Sequence, residues 1–295
     1  MRLLEEDQAG LSSALVLGRA RRNILLFDDH TNRNQVTHES HGFITRDGTT
    51  PSEFRRIGNE ELATYPSIST INRTVTSILR SKNESSFMIT ASGGQTFYAT
   101  KVILAVGFKE SLPPIDGIGG LYGKSLFNCP YCDGLELRDK PLVIINDTEH
   151  AMHMAKLLYN WSKDLVLATN GHSLNTEDRK KLESKGISVV TEKISRLIGE
   201  DGQLSHVEFE SGTTIKRSGG FVAPTFIANS LKEQIGVDLT ETGAIEVDDF
   251  GRTSKKHIYA AGDAISPALS QLIVSAASGN KAGVAVNVDL IELDF

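Results

Sequence analysis

The chain has 295 residues, 39% hydrophobic and 23% charged, and its 37 acidic against 31 basic residues give a formal net charge of −6. At roughly 100–200 residues per domain this predicts about two cored domains and excludes a disordered or fibrous chain. No basic block interleaves with aromatics and no apolar run approaches the roughly 20 residues of a spanning helix, so neither nucleic acid nor membrane is expected as a partner. The start of the chain has no apolar core of signal-peptide length, which predicts a cytoplasmic location.

Residues 9–22 carry small and apolar side chains at helical spacing and end on Arg19, Arg21 and Arg22, as a helix C-terminus favours. The run NILLF at 23–27, closed by Asp28 and Asp29, reads as a buried strand. Helix then strand is the second half of a βαβ unit, so a first strand and its turn belong before Ala9. Residues 1–4 are too short for a full strand, and the start of the chain therefore reads as truncated or altered. Residues 30–66 read as loops with a polar helix near 51–65. Strand-period alternation follows at 74–79, 86–90, 96–100 and 101–106, with Gly93-Gly94 turning between two of these runs. Pro113-Pro114 marks a domain crossing.

Beyond it the pattern restarts: a strand at 141–145, a turn at 146–149 and an amphipathic helix at 149–160. A strand at 164–168, a charged helix at 174–185 and a strand at 188–190 continue the alternation, which predicts a small parallel sheet with helices on it. Residues 191–222 revert to strands and turns, and Pro224 marks a second crossing. A strand at 257–261 and a small-residue helix from about 270 to 290 complete the chain. One βαβ module is thus interrupted by another.

Both cysteines fall in one tetrapeptide, Cys129-Pro130-Tyr131-Cys132. Two cysteines cannot build a disulfide framework, and half a zinc site needs a second ligand pair. No second CxxC or HxxxH exists, and His30, His38 and His41 could join only through the fold, so no metal site is expected. Two thiols three positions apart at a turn or helix start can close a small disulfide ring, and a helix N-terminus lowers a thiol pKa. In a reducing compartment an exposed pair of this kind is catalytic more often than structural. Asp133 follows directly; a carboxyl there can exchange protons with a leaving thiolate, or serve equally as a helix N-cap.

The stretch CPYCDGLELRDKPLVII, Gly262-Asp263 within IYAAGDA and the tail LSQLIVSAASGNKAGVAVN resemble the low-molecular-weight thioredoxin reductases. The segment LLFDDHTNRNQVTHESHGF is most similar to a branch of thioredoxin-reductase-like flavoproteins that includes reductases and dithiol oxidases of small disulfides. The likeness runs from about Ala9 to Phe295. It implies an α/β fold of two Rossmann-like three-layer domains, the second inserted in the first. Residues 1–113 with 225–295 would bind FAD, and 114–224 would be the NAD(P)-binding-like domain carrying the CxxC. It also implies a homodimer and a small-molecule or thioredoxin-like disulfide substrate. Carried over, Cys132 lies against the flavin, Cys129 attacks the substrate disulfide and Asp133 is the acid/base. Asp28 matches the acid on the adenosine ribose, and Asn34 falls in the flavin-binding segment. Ala105-Val106-Gly107 matches the family's ATG turn, with Ala105 and Gly107 beside the nucleotide. Gly262 and Asp263 match the pair at the ribityl-pyrophosphate, and Ser270, Gln271 and Leu272 match the helix start that meets the flavin ring.

Two departures stand out. Where the family has GxGxxG, this chain reads Glu5-Glu6-Asp7-Gln8-Ala9-Gly10, and only the last glycine, Gly10, survives. A carboxylate about 4 Å from a phosphate costs on the order of 4 kcal/mol at an effective dielectric near 20, before screening, which predicts weakened FAD binding. In the second module Asn146-Asp147-Thr148-Glu149-His150-Ala151 replaces the glycine-rich loop. Thr169-Asn170-Gly171-His172 replaces the arginine cluster expected for a 2′-phosphate, while Arg179, Lys180 and Lys181 read as a solvated helix face. NADPH use is therefore not expected from local chemistry; another electron partner, molecular oxygen among them, takes its place, with NAD(P)H still possible. The leading function is an FAD-dependent disulfide/dithiol oxidoreductase. A degenerate non-catalytic relative, acting as a binding or structural dimer, and a true NADPH-thioredoxin reductase stay open beside it.

Overall fold

The computed structural model describes the backbone of residues 2–4 and the whole of residues 8–82, 86–267 and 270–295. Strand β1 (Arg2–Leu4) pairs in parallel with β2 (Ile24–Asp28) and, on its other edge, with a strand at Val102–Leu104; Leu4 stands opposite both Phe27 and Leu104. The expectation that the first strand is missing is thus corrected. Three residues suffice because β1 lies between two partners, and ladder bonds on both edges satisfy its polar groups. The carboxylates expected to crowd the turn, Glu5, Glu6 and Asp7, lie outside the described residues.

Helix α1 (Gln8–Arg19) joins the two strands. Helix α2 (Pro51–Ala63) begins where Thr50 caps it, its side chain accepting from the Glu53 N–H, with Pro51 supplying a preset φ at the first position. After β3 (Ile68–Asn72) come three antiparallel strands, β4 (Val75–Arg80), β5 (Phe87–Ala91) and β6 (Thr96–Ala99), and then β7 (Val102–Leu104). The first five-stranded sheet is completed late in the chain by Ile258–Ala260, and its order runs from that strand through β7, β1 and β2 to β3.

The chain leaves this module through β8 (Phe108–Ser111), a strand the sequence did not announce, and passes α3 (Ile118–Leu121), β9 (Leu126–Phe127) and α4 (Pro130–Asp133). Strand β10 (Leu142–Ile145), α5 (Ala151–Leu158), β11 (Leu165–Ala168), α6 (Thr176–Glu183) and β12 (Ser188–Val190) follow. An antiparallel trio, β13 (Ile194–Glu200), β14 (Gln203–Phe209) and β15 (Thr214–Lys216), precedes β16 (Gly219–Val222). The second five-stranded sheet has the order β12-β11-β10-β16-β9, all parallel. Its central runs LVII and LVLA are buried at every position, as a sheet covered on both faces requires. Leu142 and Ile144 pack toward α5 and α6 while Val143 and Ile145 pack toward the β13–β15 layer, the strand period of two.

The return is made by β17 (Thr225–Ala228), antiparallel to β8 with Ser111 opposite Thr225 and Phe108 opposite Ala228. Helix α7 (Ser230–Ile235), β18 (Ile258–Ala260) and α8 (Leu272–Asp294) finish the first module. Its core has two sides. Phe27, Ile78, Ile89 and Leu104 join the sheet to the β4–β6 layer, whereas Leu17, Leu26, Ile103 and Val286 join it to α1 and α8. Helix α8 lies so close to α1 that a Cβ on Gly279 would stand 2.1 Å from the Ala9 carbonyl oxygen. The Ser13 hydroxyl bridges that contact, within 2.7 Å of the carbonyls of both Ala9 and Gly279. Among the described residues no helix is long and apolar enough to cross a membrane.

Candidate active site

A cavity of about 790 Å³ opens where the C-terminal ends of β2, β7 and β18 face those of β10 and β16. Ligands of open parallel sheets sit at such carboxyl ends, and the volume falls in the range of roughly 300–1,000 Å³ typical of ligand sites. Its walls include Asp28, Asn34, Ala105, Gly107, Asp263, Ser270, Gln271 and Leu272 from the first module and Cys129, Cys132 and Asp133 from the second. Of the anticipated residues, Gly10 is buried within α1 and Gly262 opens a short 3-10 turn behind Asp263; neither lines the cavity.

Asp28 ends β2 and is 3% exposed. One of its oxygens accepts the His30 N–H at 2.8 Å; the other meets His30 Nδ1 at 2.8 Å and the Arg55 guanidinium. A strand-end carboxylate lining the cavity in this position is the group that would accept a hydrogen bond from a ribose hydroxyl. Because β7 and β18 are paired neighbours, the turn at Ala105–Gly107 meets Asp263: a Cβ on Gly107 would lie 3.9 Å from that of Asp263. Asp263 Oδ1 accepts from Ser275 of α8 at 3.2 Å, and the Gly262 N–H donates to Ser278 at 2.8 Å, which fixes this corner against the α8 start. The volume, the place at the strand ends and the two carboxylates available to hydroxyl groups thus fit an extended dinucleotide such as FAD.

Arg33, in a 3-10 turn after β2, was not anticipated. Its Nη2 lies 2.9 Å from Asp263 Oδ2 and its Nη1 2.8 Å from Glu110 Oε1. Burial works against the charge, yet these two carboxylates hold the guanidinium above its ordinary pKa. Glu110, on β8, also accepts from the Tyr122 hydroxyl and the Asn128 amide, each at 2.6 Å. Burial and the Glu110 carboxylate push the Tyr122 phenol up, so it remains a donor. No local pattern announces this hub, because its members lie as many as 230 positions apart in the chain.

Cys129 and Cys132 are joined as a disulfide, with Cα atoms 5.3 Å apart. Cys129 is the extended residue preceding α4, Pro130 takes the first helical position, and the N–H groups of Cys132 and Asp133 both donate to the Cys129 carbonyl at 3.1 Å. Asp133 is therefore the last residue of α4, and its reading as an N-cap is corrected. The helix is a single turn, so only one turn of peptide dipoles acts on the thiols. Gly134 closes the turn where a Cβ would come within 3.0 Å of the Trp161 indole. That ring meets Tyr131 edge-on at 5.5 Å, leaving Tyr131 64% exposed at the surface of the motif.

The Asp133 side chain turns inward. Burial, with a contribution from the Glu136 carboxylate, pushes its pKa up to about 7, against a downward pull from His41. A carboxyl half-protonated near neutrality can both give and take a proton. His41 lines the same cavity and lies 3.4–3.9 Å from carboxylate oxygens of Glu39, Asp47 and Glu136. On the nucleotide side of the second module, Asn146 Oδ1 accepts both the N–H and the hydroxyl of Thr148, at 2.9 and 2.8 Å. Both Thr148 donors are thus turned back into the turn itself.

The sequence profile of the family described as "Pyridine nucleotide-disulphide oxidoreductase" matches residues 7–279. Thioredoxin reductase sirT of Leptosphaeria maculans is 30% identical over 97% of this chain and 93% of its own length. A crystal structure of a Bacillus anthracis chain designated thioredoxin reductase TrxB superposes with a TM-score of 0.96 at 48% identity, covering 100% of this chain and 99% of that one. The crystal structure of HlmI superposes at 0.94 with 32% identity, covering 99% and 93%. A profile match over most of the chain and a shared fold at this identity leave one assignment: the chain belongs to the pyridine nucleotide-disulphide oxidoreductases and is an enzyme of the thioredoxin-reductase-like kind.

Proposed function

We propose that this enzyme is an FAD-dependent disulfide/dithiol oxidoreductase in which Cys129 and Cys132 exchange electrons with the flavin on one side and a substrate disulfide on the other. The observation that carries the reading is a single cavity shared by the cysteine pair, Asp133 and the strand-end residues Asp28, Gly107 and Asp263. These strand-end residues, with Asn34, Ala105, Gly262 and Ser270–Leu272, would hold FAD across the carboxyl ends of the first sheet, Gly10 supporting them from within α1. When bound, FAD supplies the two-electron chemistry that resets the cysteine pair. The dinucleotide-binding segments we assign are 1–113 with 225–295, and 114–224 for the inserted module; the β8–β17 ribbon crosses between them.

With the pair reduced, the Cys129 thiolate attacks one sulfur of the substrate disulfide and displaces the other as a thiolate. Cys132 then attacks Cys129 Sγ, closes the enzyme disulfide and releases the second substrate thiolate. Asp133, poised near neutral pH, gives its proton to the first departing sulfur, takes the Cys132 thiol proton as that thiol attacks, passes it to the second departing sulfur, and is reprotonated from water. Substrates are disulfides able to enter a half-open cavity, either small molecules or the exposed disulfide of a thioredoxin-like protein. Pyridine nucleotide use belongs to the family, but the turn at Asn146–Thr148 has no glycine and turns both Thr148 donors back on Asn146 Oδ1, so NAD(P)H acts weakly here. A homodimer in the cytoplasm completes the proposal.

The test is purification followed by anaerobic titration with a dithiol such as dithiothreitol. The expected result is a yellow protein with stoichiometric FAD whose colour bleaches on addition of dithiol, and Cys129→Ser and Cys132→Ser variants that retain FAD but do not turn over. Colourless protein that ignores added FAD would return the chain to a non-catalytic binding role.

A further inference from the structure

We propose that Glu110 is a positioning residue for the redox pair: through Asn128 on one side and Arg33 on the other, it sets where Cys129–Cys132 stands relative to the cofactor end of the cavity. The inference rests on the reading of Cys129–Cys132 as the redox pair. Glu110 sits on β8, the strand by which the chain leaves the first sheet, and its side chain is 9% exposed. Its Oε1 accepts from Arg33 Nη1 at 2.8 Å and Asn128 Nδ2 at 2.6 Å, and its Oε2 accepts from the Tyr122 hydroxyl at 2.6 Å. Arg33 belongs to the first module and grips Asp263 with its remaining nitrogens at 2.9 and 3.3 Å. Tyr122 and Asn128 both lie beyond Pro113-Pro114, in the segment that carries the cysteines.

A buried carboxylate is stable only when its acceptor sites are filled. The three side chains that fill those of Glu110 come from two different segments, so the carboxylate is satisfied only while the cysteine-bearing segment is docked. Asn128 is bonded directly to Cys129 in the chain, and adjacent Cα atoms are held about 3.8 Å apart. Fixing the Asn128 amide therefore fixes the start of the disulfide turn. The cation at the other end of the link is the one that contacts Asp263, at the corner assigned to the flavin ribityl-pyrophosphate. Phe226, opposite Glu110 in the β8–β17 register, lies under Arg33 with the guanidinium carbon 5.8 Å from the ring centre, which keeps the link on one track.

Four variants test this: Glu110→Ala, the conservative Glu110→Gln, Tyr122→Phe, and Asn128→Asp, which sets a second carboxylate against the first. FAD content and thermal midpoint should stay near wild type in Glu110→Gln and Tyr122→Phe, and FAD content should hold in Glu110→Ala. The anaerobic rate of flavin bleaching by dithiothreitol should fall on the order of 10²-fold in Glu110→Ala, the scale set by about 1 Å of misplacement, and much less in Glu110→Gln. In Asn128→Asp the rate should recover as the pH falls and the two carboxyls come to share a proton, a signature that a simple packing defect does not produce. In flavin-free protein, the amides of residues 128, 129 and 131–133 should exchange with deuterium about tenfold faster in Glu110→Ala, the scale of one lost charge-assisted hydrogen bond. Wild-type bleaching and wild-type exchange in Glu110→Ala would overturn the inference, as would a rate that falls only in step with FAD content. If wild-type flavin is not bleached by the dithiol, or Cys129→Ser bleaches as fast as wild type, it is the redox reading of the pair that fails, independently of Glu110.

Discussion

Asp133 carries a charge problem that its position in the chain does not reveal. In the sequence it is a carboxyl after a cysteine, equally able to cap a helix or move a proton; in the fold it closes a one-turn helix and turns into the cavity. Burial raises its pKa to about 7, and this makes the folding stability depend on pH. Below the ordinary carboxyl range, near 4, the group is protonated in both folded and unfolded chains and costs nothing. As the pH rises from about 4 to 7 the unfolded chain releases the proton while the folded site keeps it, so stability falls, by about 4 kcal/mol once the folded group is ionised. Asp133→Asn should therefore lose less stability than wild type between pH 5 and pH 8 in urea titrations. The same variant should lower turnover by roughly 10²-fold or more and abolish the inflection near pH 7 in the rate profile, the scale of a lost general acid/base. An inflection that survives in Asp133→Asn would move the acid/base role to another group lining the cavity, His41 among them. The cysteine pair was legible from spacing alone; Arg33 and Glu110 were not, because an ion pair bridging positions 33, 110 and 263 leaves no trace in any local window.

At the scale of elements, periodicity located most of both sheets. The runs at 164–168 and 188–190 became β11 and β12 almost residue for residue, and the helix at 51–65 became α2. Failures came where length was the criterion. A run of three residues reads as no strand, yet β1 is the centre of its sheet, held from both edges by β2 and β7. Strand β8 was hidden in the same way, since a four-residue ribbon acquires meaning only through β17, more than a hundred positions on. The small-residue helix at the end of the chain has its reason in packing against α1. Gly279→Ala would press a methyl against the Ala9 carbonyl, and an overpacked contact of this kind costs ~1–3 kcal/mol or more, readable as a lower urea midpoint. The turn between β10 and α5 makes a separate prediction. With Asn146 closing on Thr148, NADPH and NADH should bleach the flavin far more slowly than a dithiol does in stopped-flow traces. Opening the turn with a paired Asp147→Gly and Glu149→Gly change should speed the nucleotide reaction and leave the dithiol reaction alone. Equal rates with nucleotide and dithiol in the unmodified enzyme would show that the turn rearranges to admit a pyrophosphate.

For the whole molecule, the chain threads one sheet, crosses a two-stranded ribbon to build a second, and returns, so that the cavity is walled by parts that no single segment contains. One surface is left unexplained by that architecture. Helix α8 buries Ser275, Gly279, Ala282 and Val286 against the first module, but its opposite side exposes Val284, Val288 and Ile291 by 39%, 44% and 40%. These positions recur at i, i+4 and i+7, one stripe on one face, and Ile273 continues it a few turns earlier at 40%. Isolated exposed apolar residues need no explanation, whereas an aligned row of them marks a surface meant to be covered. In the proposed homodimer a second copy of the same helix would be the self-complementary cover, since a twofold axis brings the same patch to both sides of the contact. Analytical ultracentrifugation of the wild type should accordingly give twice the chain mass, and Val288→Asp with Ile291→Asp should give a folded monomer with its FAD retained. A wild type that sediments as a monomer at micromolar concentration would leave the α8 stripe to a different partner.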